Sequence, residues 1–111
     1  MRKLYIVRTN RDFEKIIKEG KCKKDSYFII HSKSNDLPYD RYGISVSKKL
    51  GNAVFRNKYK RIIRSIIDNY KKLYINKKDY IIILRKEALS RSFNELNQDF
   101  LEIMPKNKKG N

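Results

Sequence analysis

Lys48 to Arg64 reads KKLGNAVFRNKYKRIIR, with seven cationic residues, no acidic one, and apolar residues at most points where a helix needs them. Guanidinium and ammonium groups at this density suit one task above others, the neutralisation of phosphate. The acid-free interval is wider still, from Asp40 to Asp68, and holds eight cations. A helix that only displays solvated charge gains from acids four residues away from its lysines, and this one has none. Gly51 and Asn52 let the backbone turn tightly into the helix and leave N–H groups at its start beside Lys48 and Lys49, a terminus that attracts phosphate. The bland alternative is a solvated basic face on an amphipathic helix. The missing acids and the helix start favour an RNA- or DNA-binding face instead.

Nothing else in the chain could cut a phosphodiester unaided. Metal-free ribonucleases place an acid and a base about the scissile phosphate, commonly two histidines, and His31 is alone. Metal-dependent nucleases need clustered carboxylates, whereas the twelve acids here are scattered. Asp12 and Glu14 are close in sequence but fall on different helix faces. Cys22, alone between lysines, supports neither an intrachain disulfide nor a thiolate cluster and reads as a free thiol without a role. We expect no catalytic residue, no metal site and no tightly bound cofactor in the protein.

The whole chain points the same way. It has 28 Lys and Arg against 12 Asp and Glu, a formal charge of +16 and a pI near 10.0. Such self-repulsion is explained by a polyanionic partner. Nucleic acid is the first candidate; an anionic membrane surface is the lesser, because no strongly hydrophobic amphipathic helix stands apart from the rest. The surplus of Lys, Ile, Asn and Tyr is also what an A/T-rich genome produces, which discounts the global excess but not the local block. At 111 residues the chain fits a single domain, 1–111, able to bury roughly two-thirds of its unfolded surface. Only Leu4 to Val7 lie between charged positions in MRKLYIVRTNRDF, too few for an export signal, and no apolar run matches a membrane span. The expected location is cytoplasmic, without a membrane partner.

These residues must be held by ordinary elements. TNRDFEKIIKEG predicts a first helix, with Thr9 and Asp12 at capping spacing, Phe13, Ile16 and Ile17 on one side, and Gly20 just past the end. SYFIIHS, Ser26 to Ser32, is a strand by composition, and KSNDLPYD, Lys33 to Asp40, a turn-rich loop. RYGISVS, Arg41 to Ser47, alternates cleanly, with Tyr42, Ile44 and Val46 opposite Gly43, Ser45 and Ser47. A second helix from about Asn52 to Tyr70 or Lys72 gathers Phe55, Tyr59, Ile62, Ile63, Ile66, Ile67 and Tyr70 into one stripe. Asn57, Lys58, Lys60, Arg61 and Arg64 take the remaining arc, with Arg56 at its border. DYIIILR, Asp79 to Arg85, is too apolar for a solvated face and belongs at a sheet centre. Ser92 caps a last helix with Phe93, Leu96, Phe100 and Met104 facing inward, and residues 105–111 should fray. The expected class is α+β, one sheet of about four strands with helices packed on it, in the order α-β-β-(β)-α-β-α. The bracketed strand is a short one near Lys21 to Lys24. The strands flanking the second helix would be parallel if they are neighbours.

At SVSKKLGNAVFRNKYKRIIR the chain also closely resembles the bacterial ribonuclease P protein subunit, including its arginine-asparagine-arginine motif. DFEKIIKEG, YGISVS and KDYIIILRKEAL extend the likeness, which covers most of Thr9 to Met104. The resemblance implies a subunit of a ribonucleoprotein endonuclease that removes the 5′ leader of precursor tRNA. The RNA carries the chemistry with Mg2+, and the protein grips the leader and helps to recruit the metal ions. Its partners would be the catalytic RNA and precursor tRNA, with no obligate protein partner. By position Arg56, Asn57, Lys60, Arg61 and Arg64 match the motif and would contact the catalytic RNA. Lys48, Lys49, Gly51 and Asn52 belong to the same block.

The resemblance further implies a cleft for the single-stranded leader between the first helix and one sheet face. Pattern agrees, since Gly43, Ser45 and Ser47 form a small polar strip and Tyr27, Ile29 and His31 share one face of the preceding strand. The register of that strand against the strip is left open by the pattern. Phe13 and Ile17 would wall the groove, though helix packing alone explains both. Relatives commonly carry aromatic residues where this chain has Ile17 and His31, and an isoleucine cannot stack on a base, so leader contact would be weaker or shifted. The resemblance also implies a left-handed crossover around the second helix, against the general right-handed rule. Two other readings compete: a ribosomal-type RNA-binding protein or RNA chaperone with no cleavage role, and a DNA-binding regulator, which lacks a helix-turn-helix pair.

Overall fold

The computed structural model describes residues 3–108, and its core element is a four-stranded mixed sheet with three α-helices. Helix α1, Asn10–Glu19, begins where Thr9 accepts a hydrogen bond from the Asp12 backbone N–H at 3.1 Å. It ends at Gly20, but not through a left-handed cap. Gly20 has φ −86°, and a Cβ there would stand 2.3 Å from the Ser32 carbonyl oxygen. The glycine lets the helix end press directly onto the sheet.

The strands are β1, Lys21–Lys24, β2, Phe28–Ser34, β3, Arg41–Ser45, and β4, Lys78–Leu84. Several strand boundaries differ from the sequence pattern. Asp25 Oδ1 accepts the Tyr27 and Phe28 N–H groups at 2.9 and 3.0 Å, which delays β2 until Phe28. The strand then continues through Lys33 and Ser34, which composition assigns to a loop. β3 stops at Ser45, and Ser47 instead accepts from the Lys49 N–H at 3.2 Å, capping the 3-10 turn Lys48–Leu50.

The sheet order is β1-β2-β4-β3. β4 is central, antiparallel to β2 and parallel to β3, as its continuous apolar run and the intervening helix α2, Ala53–Lys71, predict. Asn52 caps α2 by accepting the Phe55 N–H at 3.0 Å. Helix α3, Phe93–Ile103, opens with a reciprocal Ser92–Glu95 capping box.

Alternation along the strands divides the apolar residues between two layers. On one face Tyr59, Ile63, Ile66, Ile67 and Tyr70 of α2 and Leu96, Phe100 and Ile103 of α3 pack on Phe28, Ile30, Tyr42, Tyr80, Ile82 and Leu84. The other face carries the smaller cluster Val7, Ile16 and Ile81 with Phe13 and Ile83, and α1 covers it. Two expectations are corrected. Phe93 does not face inward; it is 41 % exposed, because it stands at the first helical residue, ahead of the buried Leu96 and Phe100. Pro105 to Lys108 do not fray: the Tyr70 hydroxyl donates to the Pro105 carbonyl, the Ile75 N–H donates to Asn107 at 2.9 Å, and Tyr74 bridges Lys108. Residues 109–111 of the expected tail lie outside the described residues.

A carboxyl pair ties α3 to the turn before β2. Asp99 Oδ2 is buried without a donor, and the Asp99 side chain meets that of Asp25, so one of the two must carry a proton. Burial, the hydrogen bond to Asp25, and the charges of Asp25 and Glu102 push Asp99 up to about 7. Burial also works to raise Asp25, but the bonds from Asp99, Phe28 and Tyr27, with the nearby Arg85, hold it below the usual range. The folded chain therefore keeps the Asp99 proton where the unfolded chain has released it. The contribution of Asp99 to stability falls as pH rises from about 4 to 7 and is flat above. Asparagine at 99 would donate the same bond without titrating. The Tm advantage of Asp99→Asn over wild type should thus grow from pH 4 to pH 7 and then level off. A Tm difference that ignores pH across this range would mean that the pair shares no proton.

Candidate nucleic-acid interface

The amphipathic stripe of α2 decides where its charges go. With Tyr59, Ile63, Ile66, Ile67 and Tyr70 buried, and Phe55 and Ile62 half-buried, the rest of the helix faces outward. Asn57, Lys58, Arg61 and Arg64 are exposed; Arg56 and Lys60 are half-buried along the flank. Lys48 and Lys49 stand exposed on the preceding 3-10 turn. Gly51 is sterically required there, since a Cβ would lie 2.4 Å from the Phe55 ring.

Ion pairs among the described residues include Arg41–Asp79, Arg85–Glu87 and Arg91–Glu95, none of which involves a residue of this ridge. Among the described residues none of the side chains of Lys48, Lys49, Arg56, Lys58, Lys60, Arg61 and Arg64 is engaged by a protein acceptor. The Arg56 Nε is moreover buried with no partner, an uncompensated donor that costs free energy in the isolated chain. Seven cations without a carboxylate partner among the described residues make a surface suited to counter-charge from outside the chain.

On the opposite face the strand pairing supplies what the pattern left open. One row across the sheet is Cys22, His31, Ile81 and Gly43; the next is Lys24, Ile29, Ile83 and Ser45. Ile29, His31 and Ser45 are thus brought together, all half-buried. Phe13 lies directly on Gly43, where a Cβ would meet its Cζ at 2.5 Å, so Gly43 seats the wall of the groove rather than lining an open floor. Ile17, four residues on, is 43 % exposed. Ser47 leaves the strip, because its hydroxyl oxygen caps the turn before α2. The His31 Nδ1 is buried without a partner.

The two candidate surfaces meet at the edge of β3. Ile6 bridges Tyr42, and the Val7 N–H donates to the Tyr42 carbonyl at 2.9 Å, so the N-terminal segment runs alongside that strand. A cavity of about 140 Å3 there is lined by Ile6, Val7, Phe13 and Gly43 on one side and Lys60 and Arg64 on the other. Sequence reasoning missed Ile6, Val7, Ile83 and Lys24 as neighbours of the site. Lys24 could have been found only from the β1–β2 register, and Ile83 is hidden in a run that is apolar on both faces.

The family model for ribonuclease P matches residues 1–108. This chain belongs to the ribonuclease P protein family. The ribonuclease P protein component of Macrococcus caseolyticus is 42% identical over 105 residues, covering 94% of this chain and 90% of that protein. That of Mycoplasma mycoides subsp. mycoides is 40% identical, covering 94% and 96%. Among solved structures, a Staphylococcus aureus RNase P protein mutant with defective mRNA degradation activity superposes with a TM-score of 0.84 at 36% identity, over 91% of this chain and 86% of that one. The RNase P protein from Thermotoga maritima gives 0.81 at 34%, over 86% and 91%. The α+β ribonuclease P protein fold is therefore the frame on which the cationic ridge and the groove are built.

Proposed function

We propose that this chain is the protein subunit of ribonuclease P and assists endonucleolytic removal of the 5′ leader from precursor tRNA. The observation that carries the reading is the ridge from Lys48 to Arg64, whose cationic tips have no protein acceptor among the described residues. Arg56, Asn57, Lys60, Arg61 and Arg64 contact the catalytic RNA, with Lys48, Lys49 and Asn52 at the helix start. The leader, a flexible single strand, lies between Phe13 and Ile17 of α1 and the floor made by Ile29, His31, Ile83 and Ser45. Bases rest on apolar side chains there while phosphates meet the cations at the β3 edge.

The protein's part is positional and electrostatic. Its cations lower the repulsion where two RNA chains crowd together, and its groove fixes the path of the leader. The holoenzyme's Mg2+ belongs with the RNA: among the described residues no three His, Cys, Asp or Glu side chains come together. That donor set does not suit a resident divalent ion.

Adding the protein to the catalytic RNA of the same organism at low magnesium should restore 5′ maturation of precursor tRNA. No gain under any salt condition would refute the subunit reading and leave the RNA chaperone reading standing. Phe13→Ala should reduce the preference of the assembled enzyme for leader-bearing over mature tRNA by about tenfold, the worth of one lost stacking partner. Equal loss for both RNAs would make Phe13 a packing residue on Gly43 and nothing more.

A further inference from the structure

The cationic flank of α2 leads to an aromatic pocket at the far end of the helix. Lys60, Arg64 and Lys71 stay within about 40° of one another round the helix, and Lys71 lies roughly 10 Å beyond Arg64 along the axis. Beside Lys71 a cavity of about 260 Å3 opens between three segments: Tyr5 of the N-terminal turn, Pro38 and Tyr39 of the loop before β3, and Tyr74 after α2. The Tyr5 and Tyr39 rings meet edge to face with centroids 5.2 Å apart. Lys71 Nζ stands 3.5 Å from the centre of the Tyr5 ring. Tyr5, Tyr39 and Tyr74 are all half-exposed.

From this juxtaposition the geometry points to a nucleobase pocket: one unstacked nucleotide of the RNA partner enters the cavity lined by Tyr5, Tyr39 and Tyr74, with its backbone arriving from the Lys60 and Arg64 flank. The inference rests on the RNA-binding reading above and extends the ridge beyond the residues assigned to it. Aromatic walls receive any base through its π face. Asp40, on the pocket wall, accepts the Asn76 and Lys78 backbone N–H groups at 2.7–3.2 Å and lies within electrostatic reach of Lys71, so it is held in place by the protein and steadies the Lys71 ammonium over the Tyr5 ring. The pocket accordingly stacks a base with little sequence preference. Asp68, the acid on this helix, is exposed and stands about 60° further round than Lys71, so the strand passes on the inner side, over the pocket.

The test uses the full chain assembled on the catalytic RNA of its organism. Tyr39→Leu keeps apolar bulk but removes the ring. Its affinity for that RNA should fall about tenfold with an unchanged salt slope, because a lost stack carries no charge. Tyr39→Phe should bind like wild type. Chemical probing of base reactivity should show one nucleotide protected by wild type and exposed again with Tyr39→Leu. Ultraviolet cross-linking of the unmodified complex should attach RNA to a peptide bearing Tyr5, Tyr39 or Tyr74, which decides the matter even if Tyr39→Leu folds poorly. Wild-type affinity and an unaltered footprint for Tyr39→Leu, or absence of any adduct at the three tyrosines, overturns the pocket while cleavage by the wild-type holoenzyme still upholds the subunit reading. Failure of the wild-type protein to bind the RNA overturns both.

Discussion

Exchanging Lys60, Arg61 and Arg64 together for alanine should lower affinity for the catalytic RNA by roughly two to three orders of magnitude at 0.1 M salt, and by almost nothing near 1 M. The magnitude follows from counterion release. Each cation that neutralises a phosphate adds roughly 0.7 to 0.9 to the slope of log affinity against log salt. Losing three such contacts removes two to three units of slope, and each unit is worth tenfold at a tenth molar. Arg64→Ala and Lys60→Ala alone should each flatten the slope by roughly one unit. The fold should survive, because among the described residues these three side chains have no protein partner to lose. Binding titrations across a salt series, with Tm as the control, check this directly. Slopes that match wild type would put the ridge away from phosphate and remove the ground of the functional reading.

The largest stability effect should come from the sheet itself. Asp79 is 7 % exposed at the start of β4 and accepts Arg41 Nε at 2.8 Å, Arg41 Nη2 at 2.6 Å and Asn35 Nδ2 at 2.8 Å. Arg41 and Asp79 face each other in the parallel β3–β4 register, one row beyond the Gly43 on which Phe13 rests. Arg41→Ala leaves that carboxylate buried and uncompensated. The expected loss is about 3 kcal/mol, a fall in Tm on the order of 10 °C. Adding Asp79→Asn should recover most of it, since a neutral amide at 79 keeps a partner in Asn35 and needs no counter-charge. Urea denaturation of the two single variants and the double variant gives the cycle. If Arg41→Ala costs no more than an exposed pair would, about 0.5 kcal/mol, solvent screens the pair and it does not hold β3 to β4.

Local signals were read well from sequence because they act over a few residues. Thr9, Asn52 and Ser92 cap the helices that their spacing announces, and the α2 stripe is buried as its period requires. Phe93 was misread because periodicity gives a direction round the helix but not how far the core extends along it. Residues 105–108 depart from expectation for a related reason: their anchors, Tyr70, Tyr74 and Ile75, are more than thirty residues upstream. Gly20 was placed correctly but for another cause, a close approach to Ser32 that no local rule contains.

By itself the sequence determined the cationic character of α2, the side of that helix left exposed, and the family that the chain resembles. All three depend on residue type and spacing within one element. Only the tertiary structure decided that β4 separates β2 from β3, so that Ile83 completes the floor between Ile29 and Ser45. It alone brought Phe13 and Gly43 against the same cavity as Lys60 and Arg64. Register and edge contacts join residues far apart in the chain through backbone hydrogen bonds, which are the same for every side chain and so leave no local trace.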